Sequence, residues 1–223
     1  PDVSPLAIQG PKADDLMARV FGEEIRDVRF FRYGKFQYQD RELVIARSGY
    51  SKQGGFEIYV DGSDIGMPLW DELFAAGEEF NVRAGCPNLI ERIEGGLLSY
   101  GNDMTSENTP YECGLGKFCN LETAIGSIVR GALLPQALTG PSQMIRAIDI
   151  AGEATPVSDQ AWPIVTEGGN KIGQVTSVTR SFEFNTNVAI GMVDASHWVD
   201  GTNVFVEAPD GRREAVVKEK FWI

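Results

Sequence analysis

The stretch RSGYSKQGGFEIY, from Arg47 to Tyr59, gathers the groups most able to do chemistry: the Glu57 carboxylate, the Tyr50 and Tyr59 phenols and the Lys52 ammonium. Gly49, Gly54 and Gly55 stand among them, and Gly62 follows just beyond. FEIYV alternates as a strand does. Glu57 therefore points away from the side shared by Phe56 and Ile58, and Tyr59 lies on the Glu57 side with Gly55. Glycines let a backbone approach a ligand closely or take positive φ. A carboxylate with a neighbouring phenol suits a planar heterocycle carrying amino and ring N–H donors. The same spacing also describes a strand with a solvent face, and Lys52 also reads as a solvated loop lysine.

Other chemistries have less to work with. The single histidine, His197, sits in ASHWVDG, which reads as a surface turn. A Ser–His–Asp or Cys–His unit would have to use it, so the expected chemistry needs little proton transfer by histidine. Cys86, Cys113 and Cys119 are odd in number and match no disulfide framework, which points to a reducing compartment, read as cytoplasmic. With His197 they make four potential zinc ligands, but none lies in a C-x-x-C pair. Three buried thiols and no metal is the reading adopted.

The 223 residues are 43% hydrophobic and 23% charged, which suits a folded chain able to bury a sizeable core. The net charge of −12 repels phosphate backbones and argues against nucleic-acid binding. No apolar run approaches the roughly 20 residues that span a bilayer, and no secretory signal is visible. The chain opens on Pro1 and enters VSPLAIQGP directly as an apolar strand. It reads as a piece whose start lies upstream.

The positioning elements follow from periodicity. Ser4 to Ile8, Glu42 to Ala46 and Gly55 to Val60 read as strands, and aromatics alternate with polar residues from Val28 to Tyr38. A helix with Pro11 in its first turn is expected to run to about Phe21, its face formed by Leu16, Met17 and Val20. A second is capped by Ser63 or Asp64 and buries Leu69, Trp70, Leu73 and Phe74. A third runs from near Pro87 to Gly95–Gly96, with Glu91 and Arg92 as a solvated face. A short helix is expected over about 122–133, and LLPQALTGPSQ reads as a linker. From Met144, short alternating runs with hairpin turns at GGN and PDG predict a small all-β domain, barrel or sandwich.

VSPLAIQGP, ARSGYSKQGGFEIYV, LWDELFAAG, ERIEGGLLSYGND, TPYECGLGKF and KIGQVTSVTRS resemble, in order and over nearly the whole chain, the aminomethyltransferase family. This is the fold of the glycine-cleavage T-protein, which binds tetrahydrofolate. QGPKADDLMARVFGE, NVRAGCPN, SYGNDMT and ENTPYECGLGKFCN are similar in detail to its dimethylsulfoniopropionate demethylase branch. Where a T-protein reads GYTGEDG this chain reads GYSKQGG, losing two acids and gaining Lys52. Asn88 stands where a T-protein has a pterin-contacting arginine, and Lys117–Phe118 where it has tryptophan.

The resemblance implies an α+β fold, with a T-protein-like folate-binding domain, lacking its N-terminal part, over 1–138. A C-terminal β-barrel domain follows over 144–223. It implies that Glu57 binds the folate pterin and that Tyr59 lines the same site. Tyr50, at a tryptophan position of the demethylases, faces either the folate ring or the sulfonium. Lys52 reads toward a substrate carboxylate. No catalytic residue is assigned; Tyr100, in SYGND, is the candidate, with a buried, hydrogen-bonded tyrosine as its other reading.

The implied activity is tetrahydrofolate-dependent methyl transfer from a small sulfonium substrate, dimethylsulfoniopropionate. T-protein-like aminomethyl transfer or demethylation of a glycine derivative is the alternative, and a non-catalytic folate-binding module the next. Oligomeric state stays open.

Overall fold

A computed structural model of the chain describes residues 2–86, 88–156 and 160–223. They form two compact units, Pro1–Asn88 and Leu89–Ile223. The sequence draws its domain boundary between 138 and 144; compactness draws one at Asn88.

The first unit builds one sheet from β1 (Val3–Gln9), β2 (Tyr33–Tyr38), β3 (Arg41–Ala46) and β4 (Gly55–Asp61). The order is β1-β4-β3-β2 and every pairing is antiparallel. Helices α1 (Ala13–Phe21) and α2 (Gly66–Ala76) supply the other half of the core. Phe56, Ile58, Leu43 and Ile45 of the sheet are buried in one cluster with Leu16, Met17, Leu69 and Leu73 of the helices. One face of the sheet is thereby covered, and alternation sends every second residue of each strand to the other face.

Three local expectations shift. Pro11 falls in a turn ahead of α1, and the Ala13 N–H bonds the Gly10 carbonyl at 3.1 Å. Ser63 and Asp64 do not cap α2: a 3₁₀ turn, Ser63–Ile65, precedes it. The Asp64 carboxylate instead accepts both Arg41 Nη groups, at 3.0 and 2.6 Å. Trp70 and Phe74 stack on each other at 4.8 Å and stay half-buried, while Leu69 and Leu73 make the core stripe.

The second unit begins with α3 (Leu89–Glu94), of which the expected start at Pro87 lies outside the described residues. A turn-rich stretch leads to α4 (Arg130–Thr139). The helix expected over 122–133 therefore starts later, and most of the segment read as a linker is helical. Residues 121–129 are turns, closed by Arg130 Nε donating to the Leu121 carbonyl at 2.9 Å. Pro135 sits inside α4. A proline there removes one i→i−4 bond, and this short exposed helix runs on past it.

A closed barrel follows, built from β5 (Gln143–Ile150), β6 (Trp162–Val165), β7 (Lys171–Ser181), β8 (Thr186–Asp194), β9 (Asn203–Ala208) and β10 (Gly211–Lys218). Its order is β10-β5-β8-β7-β6-β9. Closure decides between the barrel and the sandwich. Ile148, Ile164, Val193 and Val206 fill its core, and the GGN and PDG turns join β6 to β7 and β9 to β10.

The reading of three buried thiols holds only for Cys113, whose pKa is pushed up by burial and then by the Glu112 charge. Cys86 is exposed and Cys119 half-buried; all three lie outside strands and helices, and only the turn of Cys113 is packed away from solvent. His197 lies on a turn with its Nδ1 2.8 Å from Ser196 Oγ. Among the described residues no group of three or more His, Cys, Asp or Glu is placed to hold a metal. None of the described helices is long and apolar enough to cross a membrane.

Candidate functional site

The uncovered face of the four-stranded sheet carries the opening motif. Glu57 pairs with Ala7 of β1 on one side and Ala46 of β3 on the other. Ala46 in turn pairs with Tyr33 of β2. Directly opposed residues share a face, so Ala7, Glu57, Ala46 and Tyr33 form one row across the strands. The next row reads Pro5, Tyr59, Val44 and Lys35. Within the first row the acid stands between two methyl groups. A half-buried carboxylate accepts hydrogen bonds only, so this one can serve a ligand's N–H donors against a flat apolar floor.

The glycine loop holds the acid from the side. Ser48 Oγ donates a short hydrogen bond to Glu57 Oε2. The loop is in turn tied to the end of β1 by Gln9. Its Nε2 donates to the carbonyls of Ser48 at 3.0 Å and Phe56 at 3.2 Å, and its Oε1 accepts from Ser51 Oγ at 2.7 Å. The glycines make room for this contact. A Cβ at Gly49 would lie 1.9 Å from Gln9 Oε1, and one at Gly55, where φ is +142°, would lie 2.1 Å from the Ile8 carbonyl oxygen. Below the loop, Arg47 forms a two-pronged pair with Asp14 of α1 at 2.9 and 2.6 Å. Its guanidinium also lies 5.0 Å from the centre of the Phe56 ring.

Sequence reasoning missed Gln9, Ser48 and Ser51 as supports. The only available signal was a polar amide ending an apolar strand beside Gly10, and it has no meaning until the β1–β4 register brings Gln9 opposite Gly55.

The predicted site residues of this unit lie together on β4 and its entrance. Tyr59 is 39% exposed on the Glu57 face. Tyr50 is exposed in the loop. Lys52, also exposed, takes a left-handed φ of 62°. Asn88 ends the unit, and Lys117 and Phe118 lie in a short 3₁₀ turn of the other one.

Tyr100 belongs to the second unit. It is 71% exposed on a turn that bridges to Met104, which overturns the reading of a buried tyrosine: the buried group of SYGND is Asp103, whose carboxylate takes the hydrogen bonds.

Arg92 corrects another expectation. It is not on a solvated face: it is 5% exposed and pairs with Asp103, itself 2% exposed. Arg92 Nη1 reaches Asp103 Oδ2 at 2.5 Å and Nη2 reaches Ser177 Oγ at 2.6 Å. A register shift between Val175 and Ser177 of β7 turns successive hydroxyls onto the same acid. Thr176 and Ser177 donate to Asp103 Oδ1 at 2.7 and 2.6 Å, and the Ser99 N–H donates to Oδ2 at 2.8 Å. This network borders concavities of about 230 and 560 Å³. Neither is lined by Glu57, Tyr59, Tyr50 or Lys52.

An open sheet with one acid above a glycine loop, followed by a closed six-stranded barrel, defines a class that comparison identifies. The family described as GCVT N-terminal domain matches residues 1–123, and that described as glycine cleavage T-protein C-terminal barrel domain matches 145–222. The chain belongs to the glycine-cleavage T-protein family.

Within it, the chain is 65% identical over 223 residues to the dimethylsulfoniopropionate demethylase DmdA of Ruegeria pomeroyi, covering all of this chain and 60% of that protein. It is 29% identical over 220 residues to an aminomethyltransferase of Bacillus cereus, covering 97% of this chain and 59% of the relative. The crystal structure of the glycine cleavage system aminomethyltransferase T from Bartonella henselae superposes with a TM-score of 0.81 at 25% identity, over 99% of this chain and 60% of that one. The chain thus spans about 60% of the length of these relatives.

Proposed function

We propose that this chain is the folate-holding and barrel portion of a methyltransferase that moves a methyl group from the sulfonium of dimethylsulfoniopropionate to N5 of tetrahydrofolate. The products are methylthiopropionate and 5-methyltetrahydrofolate, and the N5 proton leaves to solvent. One observation carries this reading. The acid that the family resemblance assigns to the pterin is the one charged residue of its row across an open sheet, fixed by Ser48, in a chain 65% identical to a dimethylsulfoniopropionate demethylase.

The residues fit the cofactor. Glu57 offers an acceptor to the amino and ring N–H donors of a pterin. Ala46 leaves the sheet flat beside it, and a Cβ at Gly54 would meet nothing within 4 Å, so the loop leaves space. When bound, tetrahydrofolate supplies N5 as the methyl acceptor. The leaving group is a neutral thioether and the acceptor a neutral amine, so no side chain has to act as nucleophile or strong base. The protein's task is placement, which can contribute roughly 7–11 kcal/mol. Glu57 orients the ring. Tyr50 presents an aromatic face to the folate ring or the sulfonium, a contact that for a cation is worth about 0.5–2 kcal/mol. Tyr59 closes the side of the ring site. Lys52 offers a positive charge to the substrate carboxylate. No catalytic residue is assigned, and Tyr100 stays the candidate.

The test uses the protein extended to the length of its relatives, incubated without oxygen with tetrahydrofolate and dimethylsulfoniopropionate. Equal amounts of methylthiopropionate and 5-methyltetrahydrofolate are expected, both lost in Glu57→Ala. Folate binding without either product would move the assignment to aminomethyl transfer, to another methyl donor or to a non-catalytic folate-binding module.

A further inference from the structure

The register of the sheet points to how a ring would lie on it. We propose that the bound heterocycle lies across the strands, from Glu57 over Ala46 toward Tyr33, with Ala46 as its floor and Tyr33 as its far wall. This rests on the folate reading above and deepens it.

Glu57, Ala46 and Tyr33 share one row and one face. Neighbouring strands lie about 4.8 Å apart, so Glu57 and Tyr33 are separated by roughly 10 Å of backbone with a single methyl group between them. A fused two-ring system with its donors on the carboxylate covers that gap and brings its far edge to an aromatic side chain. Tyr33 has no share in the core: it is 69% exposed while its strand neighbour Phe36 packs inward. Tyr59, one row along on β4, bounds the same patch beside Glu57.

The opposite direction offers less. Ala7 is exposed on β1, an edge of this sheet, and no aromatic residue occupies the row beyond it in the described sheet. Both directions end at an edge strand, β1 or β2; only the β2 direction ends in an aromatic side chain, and stacking favours it.

The experiment measures tetrahydrofolate affinity by calorimetry, without oxygen, on the protein extended to its relatives' length, with the thermal midpoint of each variant recorded. Tyr33→Ala is expected to weaken binding about tenfold, the range of one ring stacked on an aromatic side chain. Tyr33→Phe should restore it. Ala46→Leu, with Ala46→Val as the gentler replacement on a strand, should weaken binding at an unchanged midpoint by raising the floor. Ala7→Leu should bind as the parent does. Loss of binding in Glu57→Ala together with normal binding in Tyr33→Ala and Ala46→Leu would overturn the proposed direction and leave the folate reading standing. Weakening by Ala7→Leu alone would place the ring over β1 and overturn it too. Normal binding in Glu57→Ala would remove the folate reading and this inference with it.

Discussion

Single residues show how much the environment adds to a side chain's chemistry. Tyr38 reads in sequence as one more aromatic in an alternating strand. In the fold its ring is buried 6.1 Å from that of Phe21, and its hydroxyl has no partner in hydrogen-bond geometry among the described residues. Burial pushes the phenol above its ordinary pKa, and the neighbouring Glu72 carboxylate pushes the same way. The sign follows. A raised folded pKa gives stability that is complete below the unfolded value, about 10, and is lost as pH climbs through the folded one. Tyr38→Phe removes an unpaired buried hydroxyl. It should therefore stabilise the chain by roughly 1 kcal/mol at neutral pH, and by more at alkaline pH. Urea unfolding at pH 7 and near pH 10.5 checks this. Lower stability of the variant at both values would mean that the hydroxyl is bonded after all.

Between elements, the Arg92–Asp103 pair ties α3 and the following turn to β7 of the barrel. Thr176 and Ser177 both donate to Asp103, although simple alternation along β7 would send these adjacent residues to opposite faces. Removing one partner of a buried ion pair leaves the other charge uncompensated and costs about 3–5 kcal/mol. Asp103→Ala should therefore lower the thermal midpoint by roughly 10 °C, with Asp103→Asn intermediate because its amide oxygen still accepts from Thr176 and Ser177. Thermal unfolding followed by circular dichroism measures both. A midpoint unchanged in Asp103→Ala would show that water reaches Arg92 and that the pair adds little.

At the level of the whole molecule, the chain carries apolar surface that its own fold leaves uncovered. Phe118, Ile125, Ile128, Val129 and Leu138 all face solvent on the turns and helix between α3 and the barrel. The chain also spans about 60% of its relatives' length. Under the proposed function, the further length of the relatives is expected to add walls to the folate site. The 223-residue chain should bind tetrahydrofolate more weakly than the protein extended to its relatives' length. It should also turn over dimethylsulfoniopropionate more slowly, on the order of a hundredfold, as imperfect placement of reacting groups costs that much. Side-by-side binding and product assays decide it, and equal turnover by the two would overturn the expectation.

The sequence by itself determined the strands, the face of β4 that carries Glu57 and Tyr59, the barrel's turns and the family. Each depends on short-range alternation, on glycine and proline at fixed offsets, or on motifs read in order. Only the tertiary structure decided that Gln9 holds the glycine loop, that Arg92 is buried, that Tyr100 is exposed and that Tyr33 shares a row with Glu57. Those facts come from register between strands distant in the chain and from pairing across elements. A one-residue slip in register would send every side chain of a strand to the other face, and no local pattern in this sequence states which residue of β1 stands opposite Gly55.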